Sequence, residues 1–97
     1  MKVRLEKKKA TKVLRNENYG GEIGVRLYTT DIVIIRPNVI ILDTGGYNTA
    51  TTIRRMNEVS EEFGLGYRVY RKDGGVMVLY KGMDFHFEND YHINLAR

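Results

Sequence analysis

Apolar residues along this chain recur mostly at the spacing of strands. Val25-Arg26-Leu27-Tyr28-Thr29 alternates apolar with polar, the period of a strand with one buried and one wet face. Ile32-Val33-Ile34-Ile35 and Val39-Ile40-Ile41-Leu42 are unbroken apolar runs separated by Arg36-Pro37-Asn38. Proline presets φ and asparagine tolerates the left-handed region, so the spacing predicts two strands joined by a turn. Because both runs are apolar on both faces, this hairpin belongs at the centre of a sheet or beneath a helix.

Asp43-Thr44-Gly45-Gly46-Tyr47-Asn48 interrupts the strand pattern, and from Thr49 the period becomes helical. Ile53, Met56, Val59, Ser60 and Phe63 share one stripe of a 3.6-residue helix, which should face the sheet. Asn48 or Thr49 can cap the start. Gly64 suits the left-handed position after the last turn, with Leu65 packing back on it. The predicted helix therefore spans about 49–63. Tyr67 to Lys72, a turn through Asp73-Gly74-Gly75, Val76 to Tyr80, a turn at Lys81-Gly82 and a strand from Met83 to Glu88 predict a meander. In its last strand Met83, Phe85 and Phe87 form an apolar face and Asp84, His86 and Glu88 a charged one. Residues 89–97 are too mixed to assign. The expected architecture is a single α+β domain over residues 1–97, a mostly antiparallel twisted sheet of five to six strands with one packed helix.

Composition narrows the class. With 97 residues, 42% of them hydrophobic, the chain can bury one core and is short of two ordinary domains. It has no run of twelve apolar residues for a membrane span and no apolar stretch between Lys2 and Lys12 for a secretory signal, so no membrane partner and a cytoplasmic location are expected. The absence of cysteine excludes a disulfide scaffold and a cysteine nucleophile.

The net charge of +4 is unevenly placed. Lys2, Arg4, Lys7, Lys8, Lys9, Lys12 and Arg15 oppose only Glu6 in the first 15 residues, a balance of +6, whereas the other 82 residues carry nine basic against eleven acidic groups, a balance of −2. Residues 1–10 thus form a basic arm, expected to be flexible, on a nearly neutral domain. Such an arm can bind phosphate backbones by counterion release, or simply solubilise the chain.

The segment with most chemical potential runs from Thr44 to Arg55. A strand ends, Gly45 and Gly46 let the backbone approach closely, and a helix opens with Thr49, Thr51 and Thr52 followed by Arg54 and Arg55. Helix N-termini offer unpaired N–H donors and a partial positive charge, so an anion or phosphate could rest there. The alternative treats the glycines as a tight turn, the threonines as caps, and Arg54 and Arg55 as partners of Glu58 and Glu62 on a solvated face, Arg54 to Glu58 being an i,i+4 pair. Neither the P-loop nor the dinucleotide-binding glycine pattern is present. Tyr28, Tyr47, Tyr67, Tyr70 and Tyr80 lie on or beside predicted strands among Arg26, Arg68, Arg71 and Lys72, which suggests an Arg/Tyr sheet face for stacking bases or docking a protein. Asp84, His86, Glu88, Asp90 and His92 have the vocabulary of a metal site, but Asp84, His86 and Glu88 on one strand face read as its wet side. No metal, cofactor or catalytic residue is expected.

The stretch Thr44-Gly45-Gly46-Tyr47-Asn48-Thr49-Ala50-Thr51-Thr52-Ile53-Arg54-Arg55-Met56-Asn57, continuing through Phe63-Gly64-Leu65-Gly66-Tyr67-Arg68-Val69-Tyr70, resembles a family of small uncharacterised phage proteins with a TGG-x-x-T-x-TT-x-x-RMN motif. The resemblance implies a phage-encoded accessory protein working in a bacterial host cytoplasm on nucleic acid, a nucleotide or a host protein. It implies no site residues.

The leading expectation is a non-enzymatic binding module for nucleic acid. Its candidate residues are Lys7, Lys8, Lys9 and Lys12 on the arm, Gly45, Gly46, Thr49, Thr52, Arg54 and Arg55 at the helix start, and Arg68 and Arg71 on the sheet. Alternatives are an inhibitor of a host defence protein and a nucleotide-binding protein using the helix N-terminus. Edge strands leave a homodimer open.

Overall fold

The computed structural model describes residues 8, 10–16, 22–89 and 91–97. The strands are β1 (Thr11–Asn16), β2 (Glu22–Leu27), β3 (Thr30–Ile35) and β4 (Val39–Asp43), then, after helix α1 (Ala50–Phe63), β5 (Tyr67–Lys72), β6 (Gly75–Tyr80), β7 (Met83–His86) and β8 (His92–Ala96). The α+β class with one helix is as expected. The eight described strands exceed the five or six foreseen, and they divide into two antiparallel sheets ordered β1-β2-β3-β4-β8 and β5-β6-β7.

The hairpin around Pro37 is as the apolar runs predict. Ile35 pairs with Ile40 and Val33 with Leu42, Arg36 N–H donates to Val39 C=O at 2.9 Å, and β3 takes the centre of the larger sheet. Its partner β2 slips register between Val25 and Arg26, so Ile32 is an extra residue and both Ile32 and Val33 are buried. A bulge of this kind re-aims side chains, and here it turns Thr30 and Ile32 toward the start of α1.

Two strands escaped the sequence reading. β1 occupies ground assigned in part to the basic segment, and its alternation is masked by Lys12 and Arg15 on an edge strand. β8 lies in the mixed tail, where Leu95 is buried opposite Ile40.

α1 is bounded as its sequence dictates. Thr49 is the N-cap, its hydroxyl accepting from Thr52 N–H at 3.2 Å. Gly64 closes the helix in the left-handed region at φ 62°, and Leu65 N–H returns to Ser60 C=O at 2.9 Å. Met56 and Val59 are buried, and Ile53, Phe63 and Leu65 pack at the margin of the same core. That core is shared by both sheets and the helix: Val25, Val33, Ile40 and Leu42 from one sheet meet Val69, Val76 and Val78 from the other.

The helix also closes a sheet edge. Asn57 and Ser60 face the free side of β5 and act as surrogate strand residues. Asn57 donates to Val69 C=O at 2.9 Å and accepts from Val69 N–H at 2.7 Å, while Ser60 donates to Tyr67 C=O at 2.7 Å and accepts from Tyr67 N–H at 3.1 Å. β5 and β6 join through Asp73-Gly74, and β6 and β7 through Lys81-Gly82. Both central residues of each turn have positive φ, the two-residue hairpin turn that matches strand twist. The last strand is shorter than foreseen, ending at His86, although Phe87 N–H still reaches Val76 C=O at 3.0 Å. Of its apolar face only Phe87 is buried; Met83 and Phe85 are exposed because β7 is the outermost strand of its sheet.

Candidate functional site

β4 and α1 are joined by a loop whose shape is set by its own side chains. Asp43 Oδ1 accepts from Gly45 N–H at 2.7 Å, Thr44 Oγ1 from Gly46 N–H at 3.2 Å, and Thr44 C=O from Tyr47 N–H at 3.0 Å. Asp and Thr make such local turns readily. Gly45 sits at φ 65°, and a Cβ there would lie 2.6 Å from Thr30 Oγ1, so β3 presses against the turn and only glycine fits. The N–H groups of Gly45 and Gly46 are therefore taken up inside the loop. Gly45 and Gly46, two of the candidate anion-binding residues, thus hold the turn with N–H groups already bonded.

Beyond the loop lies a cavity of about 440 Å³. Its floor is apolar, from Leu27 and Ile32, and its walls are hydroxylic, from Thr30, Thr44, Thr49, Thr51 and Thr52. Thr49 and Thr52 are 3.1 Å apart through their hydroxyls, with Thr52 buried, whereas Thr51 is exposed at the rim. The crowd of threonines thus has three distinct duties: a cap, a buried bridge to that cap, and a free rim hydroxyl. Tyr28 and Tyr47 stand at the mouth, 66% and 63% exposed. No acidic residue occupies the first turn of α1, so no carboxylate offsets the positive end of its dipole there.

Basic candidates separate into those near this cavity and those drawn elsewhere. Arg71 donates to Asn48 C=O at 3.2 Å, which brings β5 up to the residues before α1, and Arg54 is exposed on the first turns of the helix. Arg55 faces a carboxylate of its own helix. It is buried, donating to Glu58 Oε1 at 2.7 Å, so Glu58 pairs with Arg55 rather than with Arg54. Glu58 also holds Lys8 at 3.1 Å, the described residue of the arm that reaches the helix. Lys12 is exposed on β1 and Arg68 on β5, away from the cavity lining; Lys7 and Lys9 lie outside the described residues.

The Arg/Tyr face is confined to Arg68, Tyr70 and Lys72, which share the outer side of β5 because side chains alternate along the strand. Tyr67 and Tyr80 oppose each other across β5 and β6 on the core side and are buried, donating to Met56 C=O at 2.6 Å and Ala96 C=O at 2.9 Å. Burial pushes the Tyr67 phenol well above the ordinary tyrosine value. Tyr70 donates to Asp84, which raises its pKa chiefly through that hydrogen bond. Arg26 is paired with Asp31 at 2.7 Å. Among the described residues, the tyrosines open to a ligand at the cavity are Tyr28 and Tyr47, and Tyr91 sets its ring against Gly46. Thr30 and Ile32 were not foreseen in this site, and no local motif announces them, since the β2–β3 bulge and the β3 register bring them there.

Among the described residues no group of three or more His, Cys, Asp or Glu is arranged to hold a metal ion, and no helix is long and apolar enough to cross a membrane. In comparison with known proteins, residues 2–94 match the family described as Kyanoviridae Gp96 protein. No curated protein and no solved structure matches the chain.

Proposed function

The chain belongs to the Kyanoviridae Gp96 family of phage proteins, and from that premise we propose a small phage accessory protein, a non-enzymatic module that engages single-stranded nucleic acid at the cavity before α1. The observation that carries this reading is the pair of exposed tyrosines, Tyr28 and Tyr47, at the mouth of the hydroxyl-lined cavity. A base has an apolar face and a polar edge. Tyrosine rings suit the face, and threonine hydroxyls, each both donor and acceptor, suit the edge without demanding one sequence. Arg54 and Arg71 flank the site, and the Lys-rich N-terminal segment supplies the sequence-blind attraction to phosphates. A second reading, capture of a free nucleotide, is favoured by the cavity's position at a helix N-terminus that carries no acidic residue in its first turn.

Fluorescence anisotropy with labelled single-stranded DNA and RNA, titrated with salt, tests the proposal. Binding at low salt should weaken about tenfold or more in Tyr28→Ala and in Tyr47→Ala, since each stacked base is worth roughly 1–3 kcal/mol. A chain beginning at Thr11 should bind with a shallower salt dependence. Mononucleotides that compete at low concentration favour the second reading. Failure of every oligonucleotide to bind at low salt overturns the first.

A further inference from the structure

The outer edge of β7 carries the features of a self-pairing strand. β7 ends its sheet, and all four of its residues are exposed, Met83 by 61% and Phe85 by 36%. At the other edge of the same sheet, Asn57 and Ser60 take up the backbone groups of β5; among the described residues no strand or side-chain pair does this for β7.

Which backbone groups of β7 point outward follows from its register. Phe87 N–H bonds to Val76 C=O, and the two-residue turn at Lys81-Gly82 closes on the Tyr80–Met83 pair. Met83, Phe85 and Phe87 therefore direct their N–H and C=O inward to β6, and Asp84 and His86 direct theirs away from it. We propose that this edge is an interface with a second copy of the chain, β7 pairing antiparallel with the partner copy's β7 about a two-fold axis centred on Phe85. The two three-stranded sheets then join into one of six strands.

This register is singled out by the side chains. An axis at Phe85 sets it opposite its own copy, sets Met83 opposite Phe87 of the other chain, and sets Asp84 opposite His86 in both directions. The Asp84 and His86 pairs exchange the outward backbone hydrogen bonds, with a carboxylate facing an imidazole across the strands. An axis at Asp84 would instead oppose two carboxylates. The aromatic and Met contacts fall on the core side of the sheet, beside a cavity of about 360 Å³ that Met83 and Phe85 share with Ile93 and Leu95 of β8, itself the last strand of the other sheet. An isologous interface needs a self-complementary patch, and the sequence Met83-Asp84-Phe85-His86-Phe87, symmetric about Phe85 in its alternation, provides one.

Sedimentation equilibrium and light scattering of the full chain across a wide concentration range test the proposal. The expected mass rises with concentration from 11.2 kDa to twice that value. His86→Pro removes an outward N–H without touching the ladder to β6, so it should give a folded chain that stays at the monomer mass. Asp84→Lys should weaken dimerisation roughly tenfold and Asp84→Lys with His86→Glu should recover it, because the swapped charges again face each other. A wild-type chain that remains monomeric at its highest soluble concentration overturns the proposal. So does a folded His86→Pro chain that still dimerises or, should that variant not fold, an Asp84→Lys chain with undiminished dimerisation. Oligonucleotide binding at the α1 cavity is a separate measurement and does not enter this test.

Discussion

The two edges of the three-stranded sheet solve the same physical problem in opposite ways. On β5 the outward N–H and C=O of Tyr67 and Val69 are buried, and side chains of α1 satisfy them with four hydrogen bonds. On β7 the edge faces solvent, with Asp84 and His86 alternating with Met83 and Phe85. A buried edge has no water to fall back on, so its partners must be built in. An exposed edge can be left to water or to another chain, and charged residues keep it from pairing indiscriminately. The difference shows that Asn57 and Ser60 act structurally although they sit on the helix that opens the candidate site. Polar residues near a site are not thereby part of it.

Substitutions on the two edges should separate sharply. Asn57→Ala leaves Val69 N–H and C=O buried without partners, at roughly 1–3 kcal/mol for each group, so urea denaturation should show a loss of about 2–6 kcal/mol. Asn57→Asp can still accept from Val69 N–H but cannot donate to its carbonyl, and should fall between the two. Comparable stability in Asn57→Ala and the wild type would break the claim that the helix seals β5.

Next in size is Tyr67, the β5 residue whose hydroxyl is locked to Met56 C=O. Tyr67→Phe should lose about 1 kcal/mol at neutral pH. Its effect on alkaline behaviour is more telling. The folded-state pKa of Tyr67 is raised, so its contribution to stability is complete below the ordinary tyrosine value of about 10. That contribution is lost as pH climbs from there through the raised value, because ionisation is easier in the unfolded chain. Wild-type protein should therefore lose stability in that alkaline window, and Tyr67→Phe should flatten the decline in pH-dependent melting curves.

The smallest effect belongs to the open edge. Met83→Lys, at a protein concentration low enough to hold the chain monomeric, should change stability by no more than about 0.5 kcal/mol, as exposed surface substitutions generally do. A loss of several kcal/mol there would mean that β7 is covered, and would erase the contrast with β5.

Much of the fold was legible because it rests on local chemistry. The Pro37 hairpin, the limits of α1 from Thr49 to Gly64 and the Asp73-Gly74 turn each follow from the φ preferences and caps of a few adjacent residues. β1 and β8 were not legible: Lys12 and Arg15 hide the alternation of one, and the other has too short a run to stand out before β4 supplies its partner. For the site, the helix start and Tyr47 were visible in the sequence, whereas the partner of Arg55 stayed open between a bound anion and a glutamate of the same helix. A guanidinium one turn into a helix can face an anion or a carboxylate, and only the position of Glu58 against Lys8 and the core decides between them.

By itself, then, the sequence determined where the chain turns, where the helix begins and ends, and which residues are apolar enough to be buried, since these depend on neighbours within a few positions. Tertiary structure decided which tyrosines meet water, which strand edge is sealed, and which threonines surround one cavity. Those outcomes depend on register between segments far apart in the chain, where a single bulge at Val25 and Arg26 changes what Thr30 and Ile32 face, and no local preference encodes that choice.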